Sequence, residues 1–131
     1  MSPQQLPVYV HQIQVVYAAI ARKIQELLFF LNEVREGDSD KHTQELADRL
    51  TIFLSRLEQG VLRERILARK LSLGRRETFF ALIQKELEEI RQLRTYVSLS
   101  KKKPTPAIIR KIHALSLTVE REIEQQEALA A

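Results

Sequence analysis

The stretch from Val10 to Val34 constrains the fold of this chain more than any other part of its sequence. Apolar side chains recur there at intervals of three and four residues: Val10, Ile13, Tyr17, Ile20, Ile24, Leu27, Leu31 and Val34. This spacing places all eight side chains along one stripe of an α-helix. Because further apolar residues lie outside the stripe, the pattern predicts the most buried helix of a helical bundle.

The residues on either side of this helix indicate where it begins and ends. Residues 1–7 contain two prolines and are expected to form an irregular lead-in. Helix 1 is expected to end near Glu36, followed by Gly37 in the left-handed conformation that often closes a helix. Residues 38–40 (Asp, Ser, Asp) offer side chains that cap the start of helix 2. The short connection predicts that helices 1 and 2 are antiparallel neighbours.

The apolar pattern of helix 2 changes phase at Gly60. A straight continuation would turn Glu64 inward, whereas the apolar side chains of residues 61–71 are expected on a rotated face. Two interpretations follow: a continuous helix kinked at Gly60, or a helix that ends there and is followed by a second, short one. We favour a continuous but bent helix, because neither a proline nor a cluster of capping residues accompanies the glycine.

Two further helices complete the predicted fold. Gly74 is the next stop signal, and helix 3 is expected from about Arg75 to Leu99. Thr105 followed by Pro106 predicts the start of helix 4, with an N-cap and then proline at the first helical position. The end of helix 4 is expected to fray over residues 127–131. The sequence therefore predicts a single all-α domain over residues 1–131, an up-and-down four-helix bundle.

Composition and motifs argue against an enzyme. The chain has no Cys, which excludes disulfides and thiolate metal sites. Its three His are far apart in sequence, and the Glu-x-x-His pairs of di-iron bundles are missing. No glycine-rich phosphate loop is present, and Glu86, Glu88 and Glu89 are interpreted as a solvated helix face. We expect a non-enzymatic protein with no cofactor, no metal and no small-molecule substrate.

No run of about 18 uncharged apolar residues exists, so the sequence predicts no membrane span. A signal peptide is also rejected, because the first residues lack a basic region and polar residues interrupt their apolar character. A cytoplasmic location is the resulting expectation.

The charged residues are strongly segregated along the chain. Residues 61–119 contain 14 Lys and Arg against 5 Asp and Glu, although the whole chain carries only +4. One interpretation is a nucleic-acid-binding or other polyanion-binding surface, since Lys and Arg near phosphates release counterions. Its candidate residues are Arg91, Arg94, Lys101, Lys102, Lys103, Arg110 and Lys111. The alternative is that these basic residues pair with acidic residues of the same bundle.

Helix 1 carries more apolar side chains than one buried stripe requires. Val15 and Phe29 lie opposite the stripe, and Val16 and Phe30 are next to them. Exposed apolar patches of this kind usually mark interaction sites. The favoured function is therefore an adaptor, assembly factor or chaperone-like subunit that binds a protein partner, or a second copy of itself as a homodimer. The alternative function is a nucleic-acid-associated bundle. The alternative explanation for the apolar face is that the segment after Gly60 folds over helix 1 and covers it.

Overall fold

The computed structural model describes residues 5–33 and 40–131 of the chain. Four helices occupy most of these residues: α1 (Gln5–Glu33), α2 (Lys41–Leu67), α3 (Leu73–Ser100) and α4 (Pro106–Ala130). One turn of 3₁₀ helix, Ala68–Lys70, follows α2. Each helix packs against the helix that follows it in the chain, and α1 packs against α4. The predicted all-α four-helix bundle is confirmed.

Two of the predicted helix starts are confirmed by their capping hydrogen bonds. The Asp40 side chain accepts a hydrogen bond from the Thr43 N–H at 2.7 Å, before the first residue of α2. The Thr105 hydroxyl oxygen accepts one from the Ile108 N–H at 3.3 Å, and Pro106 occupies the first turn of α4. Both caps satisfy N–H groups that have no partner within the helix itself. The expected end of helix 1 near Glu36, the Gly37 cap, residues 38–39 and residues 1–4 lie outside the described residues.

The chain is helical closer to both ends than the sequence suggested. Residues 5–7, assigned to an irregular lead-in, belong to α1. Pro7 lies in the first turn, where a missing N–H removes no helical hydrogen bond. Of residues 127–131, where fraying is expected, α4 includes those up to Ala130, which is buried. Arg75 at the start of α3 donates a hydrogen bond to the Ala131 carbonyl oxygen at 3.2 Å, which places the end of α4 beside the α2–α3 turn.

Helix α2 continues through Gly60, as favoured from the sequence. A Cβ atom on Gly60 would lie 2.7 Å from Cδ1 of Ile13 on α1, so the glycine allows α1 and α2 to approach each other closely. The rotated apolar face expected after Gly60 is wrong. Glu64 is completely buried, whereas Ile66 is 60% exposed.

The reason for this difference is the regular spacing of the buried residues, which no phase change interrupts. The buried seam of α2 comprises Thr43, Ala47, Leu50, Leu54, Leu57, Val61 and Glu64, and it continues to Ala68 in the 3₁₀ turn. The buried seam of α3 comprises Phe79, Ile83, Glu86, Ile90, Leu93, Val97 and Ser100. Intervals of three and four residues hold throughout both seams, as expected for helices packed in a bundle. Polar side chains therefore occupy seam positions that are apolar elsewhere.

Candidate functional site

The outer face of α1 presents large apolar side chains to solvent. Val8, Val15 and Phe29 are 55%, 59% and 61% exposed, respectively, and we call these three residues the outer patch. They are separated by seven and fourteen residues, which places them on one face of the helix. Val16, at the α2-facing margin of the patch, is also exposed. No described segment covers this face. Residues 61–71 therefore do not fold over helix 1, which was the alternative to an interface.

Phe30 has a different environment from the other three residues of the predicted interface. It is half-buried and packs against the core. Its ring meets the His42 ring of α2 edge-on, with centroids 5.0 Å apart, and also contacts Phe29. The structure therefore places Phe30 in the α1–α2 contact, and Val15, Val16 and Phe29 at the surface.

A shallow groove runs beside the outer patch, between α1 and α4. Phe29 forms part of its wall, and the remaining lining residues are Gln25, Leu28, Asn32, Ile109, Arg110 and His113. The exposed apolar residue Leu117 lies two helical turns beyond Arg110 on the same side of α4. The apolar surface of α1 thus continues onto α4.

Three of the seven candidate polyanion-binding residues form ion pairs within the bundle, and two of them, Arg91 and Arg94, pair with Glu58. Arg91 Nε donates to Glu58 Oε1 at 2.5 Å, and Arg94 Nη1 donates to Glu58 Oε2 at 2.8 Å. Arg94 also donates to the Ser55 hydroxyl oxygen at 3.2 Å. The hydrogen bond from Arg91, followed by that from Arg94, holds the pKa of Glu58 below its ordinary value despite burial. These arginines therefore anchor α3 to α2.

The remaining five candidates lie at the end of the bundle where α3 passes into α4. Lys101 forms an ion pair with Asp48 of α2. Lys102, Lys103, Arg110 and Lys111 are exposed, and we call these four residues the basic end. The structure therefore divides the predicted set into residues that pair with the bundle and residues that face solvent.

A cluster of acidic side chains inside the bundle was not anticipated. It comprises Glu64 of α2, Glu86 and Glu89 of α3 and Glu122 of α4, together with the neutral amide side chain of Gln126 of α4, and we call it the carboxyl layer. Glu64, Glu86 and Gln126 are completely buried, Glu122 is almost so, and Glu89 is half-buried. Three of the four helices thus place polar groups at one level of the core.

Most oxygens of the carboxyl layer lack a hydrogen-bond partner among the described residues. Gln126 Nε2 donates to Glu86 Oε2. The buried oxygens without a partner are both carboxylate oxygens of Glu64, Oε1 of Glu86, Oε2 of Glu89, Oε2 of Glu122 and Oε1 of Gln126. Burying an unpaired carboxylate is far more costly than burying a neutral group. The layer is therefore best accommodated when Glu64 and Glu86 carry protons.

Burial and mutual repulsion shift the proton affinities accordingly. Burial raises the pKa of Glu64 from 4.5 to about 8. Burial also raises the pKa of Glu86 well above 4.5, and the nearby Glu64 and Glu122 raise it further, against the opposing hydrogen bond from Gln126. The pKa of Glu122 is raised by burial and by the adjacent carboxyl of Glu89. At neutral pH these groups are held largely in their uncharged form.

The sequence contains a signal for this layer. Glu64 and Glu86 both fall on an uninterrupted three-four spacing with Val61 and Ile83, so extending each seam through the acidic residue places it inside. Charged residues are almost never fully buried unless they are paired, and this expectation assigned Glu64 and Glu86 to solvent. Only Glu88 of the predicted solvated cluster is fully exposed.

Within residues 5–33 and 40–131, no three His, Asp or Glu side chains are arranged to hold a single metal ion. In the same residues, no helix is both long enough and apolar enough to cross a membrane. Comparisons of the chain with protein-family models, with curated proteins and with solved structures found no match.

Proposed function

We propose that this chain is a non-enzymatic interaction protein that associates with a second copy of itself through the outer patch of α1. The observation that carries the proposal is the exposure of Val8, Val15 and Phe29, each of which presents more than half of its surface to solvent. The buried stripe on the opposite face of α1 already supplies the packing that the bundle requires. The outer patch is therefore surplus to folding, and surplus apolar surface typically serves an interaction.

The charge distribution of α1 supports a second copy as the partner. Residues 5–21 contain no Lys, Arg, Asp or Glu, so two α1 helices crossing there bring no like charges together. A two-fold symmetric contact buries the same surface on both copies and is the commonest form of association. Val8 and Phe29 lie about 30 Å apart at 1.5 Å per residue, and Leu117 of α4 widens the surface.

A double substitution tests this proposal, because the patch residues can be charged without touching the core. Val15→Lys with Phe29→Glu should leave the circular dichroism spectrum unchanged and lower the mass measured by light scattering from that of a dimer to that of a monomer. Leu73→Glu is the matched control: Leu73 is equally exposed but lies on α3, so its substitution should leave the mass unchanged.

Two results would contradict the proposal. A wild-type protein that is monomeric at all accessible concentrations would exclude the second copy, and binding of another protein would remain as the role of the outer patch. Loss of folding in the double variant would assign Val15 and Phe29 to the core and remove the interface altogether.

We also propose a second candidate function, polyanion binding at the basic end. The favouring observation is that Lys102, Lys103, Arg110 and Lys111 are all exposed near the start of α4. The amino terminus of a helix carries partial positive charge, which adds to the attraction for phosphate groups. Contacts of this kind are insensitive to base sequence and weaken steeply with salt.

An electrophoretic shift with generic RNA and DNA across a salt series tests this second function. Lys102→Glu with Lys103→Glu should reduce the affinity sharply, whereas Arg91→Gln should have a smaller effect, because Arg91 pairs with Glu58. An affinity that is unchanged by the lysine reversals would exclude the basic end as the site. Absence of binding even at low salt would exclude the function.

A further inference from the structure

Glu64 and Glu86 face each other across the α2–α3 contact, in the half of the bundle that contains the α2–α3 turn. Glu64 lies three residues before the end of α2, Glu86 lies thirteen residues after the start of α3, and Gln126, which is bonded to Glu86, lies in the last turns of α4. Arg75 holds the α2–α3 turn to Ala131. The helical turns between the carboxyl layer and this end could therefore separate without unfolding the other half of the bundle.

Each of the four helices contributes titratable or charged groups close to this layer. Tyr9 and Tyr17 approach it from α1, and Glu64 belongs to α2. The groups from α3 are Lys85, Glu86 and Glu89, and those from α4 are Glu120, Arg121 and Glu122. Lys85 and Arg121 favour the charged form of Glu122. Among the described residues, no Lys or Arg forms an ion pair with Glu64 or Glu86.

Glu58, six residues before Glu64 in the same helix, shows the arrangement that the layer lacks. Two arginines of α3 donate hydrogen bonds to its carboxylate, so Glu58 remains charged in the folded protein. At the level of Glu64, the neighbouring helix instead presents Glu86, another carboxyl group. A charge on either residue is therefore destabilised both by burial and by repulsion from the other carboxyl group. Exposure to water is the remaining way to stabilise it.

We propose that the carboxyl layer is a proton-dependent switch, which keeps this end of the bundle closed while Glu64 and Glu86 are uncharged and opens it when they ionise. The sign follows from proton binding. The folded state binds these protons more tightly than the unfolded chain, so stability is greatest below the ordinary Glu pKa and falls as pH rises toward about 8. The opening exposes the apolar seam around Val61 and Ile83, which becomes a pH-dependent surface.

Hydrogen–deuterium exchange of the wild-type protein tests the switch, after correction for the intrinsic pH dependence of amide exchange. From about pH 6 to pH 8.5, protection in residues 61–86 and 119–130 should fall at least tenfold, since one pKa unit corresponds to a factor of ten. Protection around Leu50 and Leu93, further along the bundle, should change much less. Equal loss of protection at both ends, or no loss, would contradict the proposal.

Two neutral variants and one control make the test specific to the layer. Glu64→Gln with Glu86→Gln should remove most of the pH dependence of exchange and leave only the part that Glu122 contributes, whereas Glu88→Gln, on the exposed face of α3, should retain all of it. A pH dependence of wild-type size in the double variant would overturn the switch. If that variant fails to fold, the comparison of the two ends in wild-type protein decides.

The competing explanation for the buried carboxyl groups is that they bind a divalent cation. Adding Mn²⁺ or Mg²⁺ to the wild-type protein at about pH 8.5 and measuring hydrogen–deuterium exchange tests this explanation. The switch predicts no change in exchange. Restored protection with either ion, lost again in the Glu64→Gln, Glu86→Gln variant, would identify a cation site and overturn the proposal.

Discussion

Gln126 Nε2 of α4 donates a hydrogen bond to Oε2 of Glu86 on α3, and solvent reaches neither side chain. The other carboxyl oxygen of Glu86, Oε1, and the amide oxygen of Gln126, Oε1, have no partner among the described residues. These two oxygens are hydrogen-bond acceptors without a donor, and protonation of the Glu86 carboxyl group would supply one. The pair is therefore better satisfied when Glu86 is a carboxylic acid than when it is a carboxylate.

This pair predicts strongly non-additive effects of substitution. Gln126→Met alone removes the amide that donates a hydrogen bond to Glu86. This substitution should destabilise the protein by about 1–3 kcal/mol at pH 7. Adding Glu86→Met removes the buried carboxyl group that has lost its donor and should recover most of that loss. Urea denaturation of the two single variants and the double variant measures the coupling. Additive losses would show that the two side chains do not act as a pair.

Glu58 should show the opposite pH behaviour from the carboxyl layer. Because its pKa is lowered in the folded protein, its ion pair with Arg91 and Arg94 stabilises above the ordinary Glu pKa and is lost as pH falls through the folded value. Glu58→Gln should cost about 1–2 kcal/mol at pH 7, a modest figure because both arginines are partly exposed. The difference from wild type should be smaller at about pH 3, below the ordinary Glu pKa, than at pH 7.

Urea denaturation at the two pH values, with Glu45→Gln on the exposed side of α2 as control, checks this expectation. A cost that is independent of pH would show that Glu58 acts through packing and not through its charge.

The close approach of Gly60 to Ile13 predicts a substitution whose effect depends on its background. Gly60→Ala gains up to about 1 kcal/mol of helix propensity but places Cβ against Cδ1 of Ile13, so its net effect should be near zero. Ile13→Val removes that methyl group and should cost about 1 kcal/mol. In the Ile13→Val background, Gly60→Ala should become stabilising. Thermal unfolding of wild type, the two single variants and the double variant measures this dependence. If Gly60→Ala changed the stability equally in both backgrounds, the contact between residue 60 and Ile13 would be refuted.

The Tyr17 hydroxyl joins α1 to α4 and should contribute measurably to stability. It donates to the Ser116 carbonyl oxygen at 2.6 Å and lies 3.1 Å from the Ser116 hydroxyl oxygen, within the core. Tyr17→Phe should therefore cost about 1 kcal/mol in urea denaturation. An unchanged free energy of unfolding would mean that the hydrogen bond makes no net contribution.

The sequence was most informative where apolar spacing and capping chemistry agreed. The stripe of α1 predicted its buried residues from Val10 to Leu31, and Asp40 and Thr105 predicted the starts of α2 and α4. Gly60 was recognised as a special position, but its role was misassigned. The glycine accommodates Ile13 of a neighbouring helix, and such a tertiary contact leaves no local trace in the sequence.

The acidic residues of the core could not be predicted by the rule that charged residues face solvent. Extending the seams from Val61 and Ile83 would have placed Glu64 and Glu86 inside, but their protonation depends on partners that only the assembled bundle reveals. The pairing of Arg91 and Arg94 with Glu58 has the same origin, since those residues are more than thirty positions apart in sequence. Helix faces were thus accessible from spacing, whereas partners across helices were not.

Carbon-13 chemical shifts of the Glu side-chain carboxyl carbons, followed by NMR across a pH titration, test most directly whether an uncharged carboxyl layer lies within the bundle. Glu64, assigned by its loss in Glu64→Gln, should retain the shift of a carboxylic acid at pH 7 and titrate near the value of about 8 that burial imposes. Glu88 serves as the internal reference on the exposed face of α3. If Glu64 titrates near 4.5 together with Glu88 in the folded protein, Glu64 is charged at neutral pH, and the account of the layer and of its switch is wrong.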